Sequence, residues 1–161
     1  RNTHSAAGLM LRFSPKGVER TMKILLAVDG SSYTKKMLAY LAVHDQLLST
    51  ASSYTALTIC SPLPPRARAA LGKEVVDEYY ADEANKVLQP VAKFLARKDI
   101  VANTAYKVGP IGESIAKFAD SGKFDLVIMG SHGQGALGNL VMGSVATEVL
   151  ARCKVPVLLV R

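Results

Sequence analysis

From Met22 onward, short apolar runs alternate with longer stretches in which apolar residues recur at helical spacing. Residues 24–28 are apolar at every position, the pattern of a strand covered on both faces. Ser31 or Ser32 can then cap a helix carrying Met37, Leu38, Leu41 and Leu48 on its apolar side. Residues 54–59, rich in threonine and in branched or aromatic side chains, predict a second strand. Pro62, Pro64 and Pro65 predict a loop over 61–68 that holds Arg66 and Arg68, either solvated or within reach of a phosphate.

A long helical pattern follows over about 71–98, with Val75, Tyr79, Val87, Val91, Phe94 and Leu95 at near-helical spacing and Pro90 expected to kink or break it. Residues 101–108 predict a third strand, polar enough for a sheet edge. Pro110 suits the first turn of a helix running to Ser121. Residues 125–129 predict a buried fourth strand, 144–152 a last helix, and 155–160 a final strand from Val155 to Val160. Strands that alternate with helices imply an α/β fold: one doubly wound, flavodoxin- or Rossmann-like domain with a parallel sheet, over residues 22–161.

Composition narrows the picture. About half of the chain is apolar and the charged share is ordinary, so a sizeable core can be buried. No apolar run approaches the ~20 residues that cross a bilayer, so no membrane span is expected. Cys60 and Cys153 sit in or beside apolar runs, far from any second cysteine, and read as buried free thiols in a reducing compartment, which points to the cytoplasm. The formal net charge is +7, and part of it lies in Arg1, Arg12, Lys16 and Arg20. No nucleic-acid motif accompanies that charge, so no nucleic-acid partner is expected. Residues 1–21 stand apart, as an upstream extension, an added expression segment or, faintly, an organelle-targeting peptide.

Ligands of open parallel sheets bind beyond the carboxyl ends of the strands, where strand order reverses. Two strand ends carry the chemistry for it. The first ends in Val28-Asp29-Gly30-Ser31-Ser32, and the fourth in Met129-Gly130-Ser131-His132-Gly133-Gln134-Gly135-Ala136-Leu137-Gly138. Gly143-Ser144-Val145 then opens the last helix. Glycine at 130, 133 and 143 leaves backbone N–H groups open to an anion, and a helix start adds its positive dipole end. The same glycines also suit ordinary tight turns, and Ser144 suits either a phosphate contact or a helix cap. The segment has neither the Gly-Lys-Ser/Thr ending of a Walker A loop nor a Gly-x-Gly-x-x-Gly fingerprint. Asp29 reads either as a Mg²⁺ ligand or as a cap, and His132 either as a phosphate or ribose contact or as a catalytic base; His4 and His44 read as surface residues.

Gly130-x-x-Gly133, nine residues, then Gly143-Ser144 resembles the ATP-binding signature of the universal stress protein family. The start Ile24-Leu-Leu-Ala-Val-Asp-Gly-Ser, the run Asp125-Leu-Val-Ile-Met-Gly-Ser-His-Gly and the ending Cys153-Lys-Val-Pro-Val-Leu-Leu-Val are similar to that family's first, fourth and fifth strands. The resemblance implies a five-stranded sheet in the order 3-2-1-4-5 and ATP, with Mg²⁺, at the switch between strands 1 and 4. It implies that Ala27, Val28 and Asp29 line the adenine and ribose side, and that Ile59 meets adenine through its backbone. Met129, Gly130, His132, Gly133, Gly143, Ser144 and Val145 would then line the ribose and phosphates. Ala146 departs from the family's common Ser or Thr, although Thr147 follows. The resemblance also implies a homodimer through the last strand, with pairing weakened by Pro156.

The function expected is a nucleotide-dependent regulatory or stress-response module. A slow ATPase or phosphotransferase is the enzymatic alternative, without a clear general base or Walker-type lysine to support it. A nucleotide-free dimeric adaptor and a flavodoxin-like electron carrier share the fold class.

Overall fold

The computed structural model describes residues 21–135, 139 and 141–161. His4, nearly all of the predicted 1–21 extension, and Ala136, Leu137, Gly138 and Leu140 of the glycine-rich segment lie outside the described residues. The elements run β1 (Lys23–Ala27), α1 (Ser32–Val43), β2 (Ser53–Cys60), α2 (Pro65–Leu71), α3 (Lys73–Ala96), β3 (Asn103–Val108), α4 (Ile111–Ser121), β4 (Leu126–Gly130), α5 (Ser144–Arg152) and β5 (Val157–Val160). The strands form one parallel sheet in the order β3-β2-β1-β4-β5.

The all-apolar first run is explained by its two neighbours. β1 lies at the centre, paired with both β2 and β4. Its side chains alternate between two cores, as strand geometry requires. Ile24, Leu26 and Val28 join Met37, Leu38 and Leu41 of α1 and Ala84, Leu88, Val91 and Leu95 of α3. Leu25 and Ala27 join Ile115 and Ala119 of α4 and Ala146 and Val149 of α5. Helices therefore cover both faces. β3 is mostly exposed and ends the sheet, as its polar sequence requires.

Several expectations are corrected. The loop expected over 61–68 becomes α2 from Pro65, because a proline at the first helical position gives up an N–H that had no partner there. α3 runs unbroken through Pro90. Its buried face is Val76, Tyr80, Ala84, Leu88, Val91 and Leu95, so the expected contacts of Val75 and Tyr79 are off by one position. Those two side chains are 49% and 43% exposed. Leu48 lies beyond α1 but still packs against the core. β3 starts at Asn103, and Val101 is 95% exposed. β5 starts at Val157, so Pro156 precedes the strand and removes none of its donors. β4 extends to Gly130, which pairs with Val160. The opening glycine of the predicted loop is thus the last residue of a strand.

Candidate functional site

β1 and β4 are adjacent, and the helices that follow them cover opposite faces, which makes this the reversal point of the sheet. A cavity of about 660 Å³ opens beyond their carboxyl ends. All eleven residues singled out from the sequence line it. Ala27, Val28 and Asp29 come from the end of β1, and Ile59 from the end of β2. Met129 and Gly130 close β4, and His132 and Gly133 follow it. Gly143 caps α5, and Ser144 and Val145 begin it.

The start of α5 bears on anion chemistry. Its N-cap is Gly143, and no side chain caps it. Ser144 is the first helical residue and is not the cap, which corrects the capping alternative. The N–H groups of Ser144, Val145 and Ala146 have no carbonyl partner within the helix and sit at its positive end. Thr147 is occupied otherwise, its hydroxyl donating to Gly143 O at 2.9 Å.

The glycines answer to their neighbours. Neither Gly130 nor Gly133 has a positive φ, and Gly143 has φ −73°. A Cβ on Gly130 would stand 2.7 Å from the Tyr33 Cβ, and one on Gly133 would stand 2.8 Å from Asp29 Oδ2. A Cβ on Gly143 would stand 3.1 Å from the His132 Cα. Conformation matters instead at Gly30, which with φ +75° turns the chain out of β1 into α1, and at Gly135, with φ +93°.

Asp29 is committed within the protein. Its Oδ1 accepts from Ser31 N at 2.9 Å and Thr34 Oγ1 at 3.0 Å, and its Oδ2 accepts from Gln134 N at 3.2 Å. That is an Asx-type turn and not a cap on α1. The cap residue of α1 is Ser31, whose side chain makes no capping bond and whose hydroxyl is buried without a partner among the described residues. His132 Nδ1 lies 2.8 Å from Ser131 Oγ, and its ring packs on Tyr33 at 4.8 Å. Lys36 Nζ sits 4.5 Å above the same tyrosine ring. Among the described residues no Lys or Arg lines the cavity, and its acidic groups are Asp29 and Glu83. Arg66 and Arg68 are exposed on α2 and are not part of the lining.

Cys60 also lines the cavity, and burial first, then the negative charge of Glu83, pushes its thiol above the usual range. Cys153 is raised mainly by burial as well. Both cysteines are free, although partly exposed instead of fully buried. His44 is exposed and stacks on Tyr40.

A family model described as "Universal stress protein family" matches residues 21–161. The chain belongs to this family. The universal stress protein in the QAH/OAS sulfhydrylase 3' region of Thermus aquaticus is 30% identical over 139 residues, which is 86% of this chain and 97% of that protein. Universal stress protein Slr1230 of Synechocystis sp. is 30% identical over 148 residues, 92% of this chain but 45% of its own length. The chain thus spans about half the length of that relative. The solved structure of protein MJ0577 of Methanocaldococcus jannaschii matches with TM-score 0.73 and 25% identity, covering 86% of this chain and 94% of that one. Two more distant structures of the same fold were solved with a nucleotide. They are a universal stress protein of Archaeoglobus fulgidus with dAMP (TM-score 0.60, 19% identity, covering 87% and 98%) and a family protein of Arabidopsis thaliana with AMP (0.62, 12%, 86% and 90%).

The walls of this universal stress protein's cavity include residues that motif reading missed. Tyr79, Glu83 and Val87 come from one face of α3, Ile111 and Ile115 from α4, and Thr34 from α1. The spacing of the α3 residues places them on one helix face, but only the packing of α3 on β2 makes that face a wall. Among the described residues no helix is long and apolar enough to cross a membrane.

Proposed function

We propose that this universal stress protein binds an adenine nucleotide, ATP in particular, in the cavity at the β1–β4 switch, and acts as a nucleotide-dependent regulatory module. The observation that carries this reading is the start of α5, uncapped by any side chain and open to a cavity of about 660 Å³. That volume lies within the range of small-molecule sites. The related folds solved with AMP and dAMP support the adenine nucleotide class. In this reading Ala27, Val28 and Ile59 lie along the base, and Gly130, His132, Gly133, Gly143, Ser144 and Val145 along the ribose and phosphates. Among the described residues no group of three His, Cys, Asp or Glu side chains could hold a metal. In this reading Mg²⁺ would enter with the nucleotide and neutralise phosphate charge that no lining Lys or Arg among the described residues balances. Among the described residues no Lys or Arg lines the cavity, which favours binding over phosphoryl transfer, whose transition state depends on such charges.

ATP with Mg²⁺ is expected to raise the melting temperature, by mass action worth about 2.7 kcal/mol at a hundredfold excess over Kd. Unchanged melting together with a flat calorimetric titration overturns the reading. Ser144→Ala refines it. Since Ser144 does not cap α5, the ligand-free melting temperature should stay near wild type. The ATP-induced rise should shrink by about 0.5–1.5 kcal/mol, the net worth of one hydrogen bond. An undiminished rise removes the hydroxyl from the site.

The reading extends to assembly. β5 is an edge strand with Val157, Leu158 and Leu159 only partly buried, and an exposed apolar edge pairs readily with a copy of itself. A homodimer through residues 155–160, biased by bound ATP, is expected in light scattering at micromolar concentration. A monomer with and without ATP counts against it.

A further inference from the structure

Gln134 makes two bonds to Asp29 across 105 residues of sequence. Its Nε2 donates to Asp29 O at 2.6 Å, and its backbone N–H donates to Asp29 Oδ2 at 3.2 Å. The other carboxylate oxygen is held by Ser31 N and by the buried hydroxyl of Thr34, which in turn accepts from Asp29 N at 3.1 Å. Asp29 is thus fixed to the turn after β1 before it meets Gln134. Gly133 fits this arrangement, since a Cβ there would stand 2.8 Å from Asp29 Oδ2. The ends of the glycine-rich segment are tied to the sheet and to each other, by Ser131 N to Val160 O and by Gly143 N to Ser131 O, both at 2.8 Å. Gln134 ties the chain just after β4 to the end of β1 across the cavity, and both clamp residues line it.

We propose that Gln134 and Asp29 form a clamp that holds residues 133–135 in register with the start of α5, so that Gln134 is a positioning residue for the phosphate half of the ligand alone. The base half of the cavity is walled by Ala27 and Val28 of β1, Ile59 of β2 and the face of α3, whereas the bonds of Gln134 go to Asp29. This inference rests on the nucleotide reading above. It assigns Gly133 a role in admitting the Asp29 carboxylate, and Asp29 a role in holding backbone.

The test is calorimetric titration of adenosine and of ATP with Mg²⁺ into wild type and Gln134→Ala, with amide exchange at Gln134 followed in Asp29→Asn without ligand. Gln134 is exposed, so its truncation leaves the core intact. The clamp predicts that ATP affinity falls roughly 3- to 10-fold, as for one lost hydrogen bond, while adenosine affinity stays within about twofold. Gln134→Glu, which turns the donor into an acceptor facing the Asp29 carbonyl, should weaken ATP at least as much. Asp29→Asn should speed exchange of the Gln134 amide. Equal weakening of both ligands, or no change in either, overturns the clamp. Wild type that binds neither ligand while the Gln134 amide stays protected overturns the nucleotide reading, and the clamp's role in binding falls with it.

Discussion

Leu25→Ala is expected to lower stability by about 2–5 kcal/mol, the usual range for truncating a fully buried leucine. Leu25 is 0% exposed at the centre of β1, the strand with neighbours on both sides. Its side chain packs in the core made with Ile115, Val127, Ala146 and Val149, which lies under the start of α5. Parallel strands with helices on both faces leave little room for collapse into the space, so the cost should fall in the upper half of the range. The check is a urea melt in which the midpoint falls at unchanged slope. Val101→Ala is the matched control: with Val101 95% exposed, it should stay within about 0.5 kcal/mol of wild type. A Leu25→Ala loss below about 1 kcal/mol would mean that the core refills the cavity.

Gly130→Val is the second large effect, and it is expected in the ligand-free protein. The added Cβ would meet the Tyr33 Cβ at 2.7 Å and the His132 carbonyl oxygen at 3.1 Å. Gly130 is a paired strand residue and cannot move aside without giving up its register with Val160. Overpacking of this kind costs about 1–3 kcal/mol or more. That corresponds to a fall in melting temperature of roughly 3–10 °C for a domain of this size. ATP binding should also be lost, because a shift of Tyr33 disturbs the His132 ring packed on it. The opposite result is informative: a normal ligand-free melting temperature with binding abolished would mean that Tyr33 gives way and that the side chain only fills phosphate space.

These two residues mark how much was legible. Leu25 belongs to a run that is apolar at every position, the pattern of a short strand covered on both faces. The order of the strands and of the helices other than α2 was readable from period, proline and glycine, the edge at β3 from its polarity, and the edge at β5 only from the strand order that the resemblance implied. The site was readable as a spacing. The glycine motif and Asp29 stand far apart in sequence, yet the eleven residues that the family resemblance implied from them line one cavity. The reasons behind the motif were not readable. Glycine at 130 and 133 looks like backbone freedom, but neither φ is positive, and both positions answer to side chains about a hundred residues away.

What the chain determines locally is element type, because side-chain period, caps and turn residues act within a few positions. The alternation of strands and helices then restricts the fold to a parallel, doubly wound sheet. Tertiary structure decided the rest. It selected the face of α3 that is buried, since a shift of one residue turns a helix by about 100° and local spacing alone does not fix that phase. It bound both carboxylate oxygens of Asp29 to the backbone of two loops and to Thr34, leaving the start of α5 as the part of the cavity best suited to an anion. The bond from Gln134 to Asp29 joins residues remote in sequence, and its geometry exists only once the sheet brings the ends of β1 and β4 together.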